Sequence, residues 1–376
     1  MKLKLPPLLI FLCVAVGITG TAFYVTGRAL ASPFQPGSPG QWGAWAWAAA
    51  LWAFPVGRML FFRHAQVSRL QSLAFFMLGL GATLFMLLLL LELAGLLLGL
   101  GGYQFSPWAP WALLGLSALL GLTGWQEAMG PTQVKKVTVP IAGLARDLEG
   151  LRIVQVSDFH VSHLQGRDRV LAMVEQVMEL KPDLIALTGD MVDGPLADLG
   201  DDVEPLSRLR APMGVHYVIG NHEYFWGAKA WLLRFRQMGM DVLENEHRLE
   251  RRGNAIVLIL GVNDPTAGRS GEGGPDLEAA QRGAPAADFT LFLGHQPSLW
   301  PLAEKAHADL FLTGHTHGGQ FWPFPPIVSL FHRYFRGLYR HDDKLWVFVH
   351  SGSGFWGPPN RLGVPPEVVE ITLTRG

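Results

Sequence analysis

Seven side chains in this sequence have types and positions suited to holding cations: Asp158, His160, Asp190, Asn221, His295, His315 and His317. They fall in five short stretches, each closing an apolar run: Ser157-Asp158-Phe159-His160, Gly189-Asp190, Gly220-Asn221-His222, Gly294-His295 and Gly314-His315-Thr316-His317. Imidazoles and carboxylates without a thiolate suit Mn, Fe, Zn, Ni or Co rather than a calcium cage. Seven donors are too many for one such ion and match two ions sharing a bridging carboxylate. Two ions about 3.5–4 Å apart serve phosphoester hydrolysis in many enzymes. A single Gly-His is an ordinary loop dipeptide, but five ligand-ended runs in order are poorly explained by turns. Asp158 and His160 are two residues apart, as are His315 and His317, so on an extended chain each pair faces one side. The adjacent glycines leave room for ions and permit unusual backbone angles.

The elements that must carry these residues lie after Pro131. "LRIVQVSDFH", "DLIALTGD", "GVHYVIGN", "DVLENEHRLE", "AIVLILGV", "DFTLFLGH", "DLFLTGH", "LWVFVHSGSG" and "EVVEITLTR" read as strands. "RDRVLAMVEQVMELK", a stretch around Asp201–Leu209, "AWLLRFRQMG" and "SLWPLAEKA" read as helices. Strands alternating with helices predict an α/β domain with largely parallel sheets, and sites in such sheets form at the carboxyl ends of strands. Residues 267–286, rich in Gly, Pro, Ala and Arg, read as a surface loop.

The chain divides sharply by composition. It has 376 residues, a mean hydropathy of +0.23 and 16% charged residues, and residues 1–130 are nearly free of charge. Four apolar segments, about 8–25, 42–62, 73–100 and 108–125, each approach the ~20 residues that cross a bilayer. Lys2 and Lys4 precede the first, Arg58, Arg63 and Arg69 lie around the second link, and Lys135 and Lys136 follow the fourth. The other links hold only Arg28. That alternation predicts a four-helix membrane bundle with both ends, and the following domain, on the cytoplasmic side. The first segment also has the form of a signal peptide with Ala29-Leu30-Ala31 as cleavage site; its length favours an uncleaved helix. Glu92, the one carboxylate in a spanning segment, reads either as a functional intramembrane charge or as a residue that simply reaches the interface from an over-long helix. A net charge of −1 offers no basic field for nucleic acid. The single cysteine, Cys13, excludes an intrachain disulfide and a thiolate zinc site.

The order D-x-H, G-D-x-x-D, G-N-H-E, G-H, G-H-T-H resembles the calcineurin-like metallophosphoesterase superfamily over residues 137–376. "GLRIVQVSDFHVS", "KPDLIALTGDMVDG", "GNHEY", "GHTHGGQ" and "PPEVVEITL" are most similar to its bacterial membrane-anchored branch of the YkuE/YaeI type, which includes a UDP-2,3-diacylglucosamine pyrophosphatase. The resemblance implies a two-sheet sandwich flanked by helices and placement in the bacterial cytoplasmic (inner) membrane. It implies Asp158, His160 and His317 on a first divalent ion, Asn221, His295 and His315 on a second, and Asp190 as bridge. His222 would be the proton donor or charge stabiliser at the phosphate, and Asp193 either orients it or caps a loop. The implied reaction is hydrolysis of phosphodiester or pyrophosphate bonds by metal-activated hydroxide. A lipid-linked or nucleotide-lipid substrate is one option; a phosphomonoesterase or protein phosphatase, or a non-enzymatic membrane sensor, are the alternatives. The branch carries an arginine in its tail where this chain has His350-Ser351-Gly352-Ser353-Gly354, so no arginine contact is implied there.

Other polar residues have plain readings beside functional ones. His163 is a solvated loop residue or supports a ligand. Asn263-Asp264 forms a turn or lines the cleft. Arg361 is a surface ion pair or a phosphate contact. His216, His247 and His307 read as structural. The aromatic, arginine-bearing segment Phe321–Arg340 either packs on the core or forms a lip at the membrane surface. Nothing in the sequence sets the oligomeric state.

Overall fold

The computed structural model describes residues 7–61, 69–99, 105–270 and 273–376. They form two compact units, one of residues 1–126 with 357–362, the other of residues 127–356 with 363–376.

The first unit is helical: α1 (Pro7–Ala31), α2 (Pro39–Phe61), α3 (Arg69–Gly99) and α4 (Ala109–Met129), the last residues of α4 entering the second unit. Small residues let the helices approach closely. A Cβ on Gly27 would lie 2.2 Å from the Trp45 ring. Trp52 Nε1 donates to Thr26 Oγ1 at 3.2 Å and Trp111 Nε1 to the Leu30 carbonyl at 2.8 Å, which satisfies polar groups among apolar side chains. Among the described residues one helix, Leu70–Gly99, is long and apolar enough to cross a membrane, where the sequence reading expected four spans. The expected charges Lys2, Lys4 and Arg63 lie outside the described residues. Glu92 is exposed and lines a cleft with Arg28. Arg361 belongs to this unit and is fully buried, which overturns its reading as a surface ion pair.

The second unit is α/β, with two six-stranded sheets. The strands are β1 (Gln133–Ile141), β2 (Arg152–Val156), β3 (Leu184–Leu187), β4 (Val215–Tyr217), β5 (Asp241–Val242), β6 (Glu246–Arg252), β7 (Ala255–Gly261), β8 (Phe289–Leu293), β9 (Leu310–Thr313), β10 (Gly337–Arg340), β11 (Trp346–Val349) and β12 (Glu367–Arg375). The first sheet has the order β1-β12-β2-β3-β4-β5, the second β10-β11-β9-β8-β7-β6. Both are mixed and, as expected, largely parallel: only β12 against β2, β6 against β7 and β10 against β11 run antiparallel. The strands that carry candidate ligands, β2-β3-β4 and β8-β9, are parallel within their sheets.

Three apolar layers follow from strand alternation. Ile153, Leu184, Ala186, Ile259, Leu291 and Leu312 pack between the sheets. Val154, Val156, Ile185 and Leu187 face outward onto the helices Arg167–Glu179 and Ala228–Gln237. Leu260, Phe292, Phe311 and Val347 form the outer layer of the second sheet. Val170, Met173, Val174 and Val177 are buried at the i, i+3, i+4, i+7 spacing of one helix face. The helix expected around Asp201–Leu209 is a short 3₁₀ turn, Glu204–Arg208. The loop expected over 267–286 includes two short helices, Thr266–Ser270 and Leu277–Gln281, the second capped by the Asp276 side chain.

Candidate metal centre

The seven predicted ligands come together at the carboxyl ends of β2, β3, β4, β8 and β9. Two sheets contribute, and Gln155 joins them beneath the centre. Its Nε2 donates to Thr188 Oγ1 at 2.8 Å, just past β3, and to the Thr313 carbonyl at 3.0 Å, the end of β9.

The paired ligands do not reach their positions on extended chain, as the sequence reading supposed. Nine non-glycine residues among those described have positive φ, and five are Asp158 (53°), His160 (55°), Asp190 (53°), His315 (70°) and His317 (51°). Left-handed backbone is uncommon outside glycine, though Asp and His adopt it more readily than most, and its concentration here marks a functional site. Close approach requires the neighbouring glycines. A Cβ on Gly220 would lie 2.1 Å from Asp190 Oδ1, and one on Gly314 would lie 2.1 Å from Asp158 Oδ2.

Two donor groups result. In one, His295 Nε2 lies 3.0 Å from Asp190 Oδ2, 3.2 Å from Asn221 Oδ1 and 3.3 Å from His315 Nδ1. Donors ~2.0–2.1 Å from a shared cation stand roughly 3 Å apart, so these separations fit one ion. In the other, His160 Nε2 and His317 Nε2 are 3.0 Å apart, and His317 Nε2 is 3.4 Å from Asp158 Oδ1. Two imidazole lone pairs facing at that distance repel unless a cation or proton lies between them. Asp190 Oδ2 is in the first of these groups and lies 4.0 Å from His160 Nε2 of the other, while its Oδ1 accepts the His222 backbone N–H at 2.8 Å.

Surrounding bonds fix which ring nitrogen is free. His295 Nδ1 donates to the Thr188 carbonyl at 2.8 Å, leaving Nε2 as ligand. Asp158 accepts from Ser157 Oγ at 2.6 Å and from the His315 N–H at 3.0 Å. Burial, with the positive field of His222, lowers His160 to about 4; burial, with His295, lowers His315 to about 3, so both are neutral donors near pH 7. Burial, opposed by His295, raises Asp158 to about 6. Burial alone would lower His295, but Asp190 outweighs it and raises the imidazole well above its usual value. A cation would take that proton's place.

His222 stands beside the donors, its Nε2 3.9 Å from Asp190 Oδ2. Its Nδ1 lies 2.7 Å from Asp193 Oδ1, which also accepts from Trp226 Nε1 at 3.2 Å. Burial lowers its pKa, but Asp190 and Asp193 prevail and push it up to about 9.

Sequence reasoning passed over Glu223. Its fully buried carboxylate accepts backbone N–H groups of Asp190 (3.1 Å), Met191 (2.6 Å) and Gly220 (2.9 Å), tying the Asp190 loop to the Asn221-His222 turn. The signal was present in "GNHE": an acid three residues into a helix that begins at Asn221. His332 was also missed; its ring lies 6.5 Å from that of His315. The tail loop supports the Asp158 group, with Gly354 N–H donating to the Asp158 carbonyl at 3.1 Å. His163 is exposed, as its plain reading had it. Asp264 is buried, accepts from Thr266 N at 2.7 Å and Gln296 Nε2 at 3.1 Å, and adds to the field at His295.

Comparison with known proteins agrees in kind. The calcineurin-like phosphoesterase family profile matches residues 151–319. The chain is 33% identical over 267 residues to a "Transmembrane protein with metallophosphoesterase domain" of Danio rerio, covering 69% of this chain and 61% of that protein. An "Uncharacterized metallophosphoesterase" of Helicobacter pylori is 32% identical over 259 residues, 68% of either chain. One of Aquifex aeolicus is 34% identical over 245 residues, covering 64% of this chain and 91% of that one.

Proposed function

The chain belongs to the calcineurin-like metallophosphoesterase family, and from that premise we propose a membrane-anchored dinuclear phosphoesterase acting on phosphodiester or pyrophosphate bonds. Asp158, His160 and His317 would hold one divalent ion, Asn221, His295 and His315 the other, with Asp190 between them. The observation that carries this reading is the position of Asp190 Oδ2 between the two donor groups, 3.0 Å from His295 Nε2 and 4.0 Å from His160 Nε2. Bound divalent ions supply Lewis acidity toward phosphoryl oxygens and acidify water near neutral pH. The ions would be drawn from Mn, Fe, Zn, Ni or Co, which the donor chemistry admits.

The protein's own contribution is orientation and charge. Asp193 holds the His222 ring through Nδ1, and because the pKa is pushed up to about 9 the charged ring also carries a proton on Nε2, toward the donors. An imidazolium there would donate to the oxygen on which negative charge grows as a phosphoester bond breaks.

Residues 1–130 would form the membrane region and 131–376 the catalytic domain, on the cytoplasmic side of a bacterial inner membrane. The apolar helix Leu70–Gly99 and the name of the Danio rerio relative support membrane placement. That placement favours a lipid-linked substrate. The deciding assay compares bis(p-nitrophenyl) phosphate with p-nitrophenyl phosphate in the presence of Mn²⁺. Preferential diester turnover, abolished in Asp190→Ala, is expected; full activity in Asp190→Ala would defeat the two-ion reading, and preference for the monoester would make the protein a phosphomonoesterase.

A further inference from the structure

We propose that Leu330 and Phe331 form a tip that enters an anionic lipid bilayer beside the metal centre, an inference that rests on the membrane-bound phosphoesterase reading. Leu330 (81% exposed) and Phe331 (78%) are the most exposed large apolar side chains among the described residues, and they are consecutive. They follow the short helix Pro325–Ser329, which buries none of its side chains. Scattered exposed apolar residues need no explanation, but a bare adjacent pair at an apex does.

The surrounding charge selects the partner. From Gln320 to Arg340 there is no acidic residue, and Arg333, Arg336 and Arg340 follow the apolar pair. Arg340 pairs with Asp343 at 3.2 Å and Arg333 stacks 4.5 Å over the Trp300 ring. Arg336 is exposed and has no ion pair among the described residues. Bare hydrocarbon beside an unneutralised guanidinium complements a bilayer, where phosphate overlies acyl chain.

The base of the tip is fastened to the ligand loop. Thr316 Oγ1 donates to the Phe335 carbonyl at 2.7 Å. A Cβ on Gly318 would lie 2.8 Å from the Arg336 side chain, so that arginine runs against the backbone next to His317. Phe335 is part of this base and Leu330-Phe331 is the free end. A lipid phosphoester held by the bilayer would thus reach the donors without leaving the membrane surface.

The test uses the full chain and its single cysteine. In a Cys13→Ser background, Phe331→Cys carries a nitroxide and the protein is placed in phosphatidylethanolamine–phosphatidylglycerol vesicles. Leu249→Cys is the control: it lies on β6, at the opposite edge of the second sheet from β10, which follows the tip. We expect collisions with oxygen to exceed those with a water-soluble nickel chelate at position 331, and the reverse at 249. Leu330→Cys should behave as Phe331→Cys. A label at 331 as open to the nickel chelate as that at 249, or shielded from both reagents by protein, overturns the proposal. Bis(p-nitrophenyl) phosphate turnover in the same samples separates the two readings. An immersed label without turnover removes the phosphoesterase reading alone, and an aqueous label with full turnover removes the tip alone.

Discussion

At the residue scale, two carboxylates decide the state of His222. Asp190 would be largely neutralised by bound ions, which leaves Asp193, 2.7 Å from Nδ1, as the group that holds the imidazolium. Without ions the two carboxylates together push this imidazole up to about 9; with ions on Asp190, the part that keeps the donor charged is the part Asp193 supplies. The same pair stabilises the fold fully below the unfolded histidine value of ~6.5, and that contribution fades as pH rises through about 9. Asp193→Asn should therefore shift the basic limb of the pH–rate profile to lower pH; an unmoved limb would mean that Asp193 does not act through His222. Glu223→Gln replaces an oxygen facing backbone N–H donors with an NH₂ group, and an unsatisfied buried donor costs ~1–3 kcal/mol. Because Glu223 ties two ligand loops, metal affinity should fall roughly 10–100-fold. Unchanged affinity by titration calorimetry would reduce Glu223 to a helix cap.

At the element scale, the centre depends on strand ends brought so close that only hydrogen fits between them. Gly314→Ala would place a Cβ 2.1 Å from both Asp158 Oδ2 and Ser157 Oγ. We expect metal content, measured by plasma mass spectrometry, to drop while circular dichroism retains the α/β signature. Full metal content in this variant would contradict the close approach. Several carboxylates and imidazoles are buried together here, and a cation offsets their mutual repulsion and desolvation. At a hundredfold excess over Kd each bound ion stabilises by ~2.7 kcal/mol. A chelator should accordingly lower the Tm by several degrees and added Mn²⁺ should restore it; a Tm indifferent to both would separate the donor cluster from folding.

At the scale of the whole molecule, the chain joins an apolar helical unit to an α/β phosphoesterase unit, and it spans about 61% of the Danio rerio relative's length. The basic residues that predict orientation flank the apolar segments, with Lys135 and Lys136 on β1 of the second unit. A fluorescent-protein fusion at the C-terminus should therefore glow, and an alkaline-phosphatase fusion there should stay inactive. The opposite pair of results would place the domain outside and overturn the charge argument.

Much of the centre was legible as sequence, because each ligand is punctuated by local chemistry: an apolar β run, then glycine, then an imidazole, amide or carboxylate. The α/β class and the apolar helices were legible for the same reason, since periodicity and hydropathy are local. The reversed strands were not, because β12 lies parallel to β1 and antiparallel to β2 across more than 200 residues, a long-range choice that no local pattern encodes. Nor was the backbone of Asp158, His160, Asp190, His315 and His317, whose left-handed angles are imposed by the packing of two sheets rather than by their own preference. The burial of Arg361 and the hold of Glu223 on two loops are likewise tertiary. The sequence determined which atoms are available to bind cations, because donor chemistry belongs to the side chain. Only the folded structure decided which of them share an ion-sized space, because that depends on where two sheets, formed from distant parts of the chain, bring their strand ends.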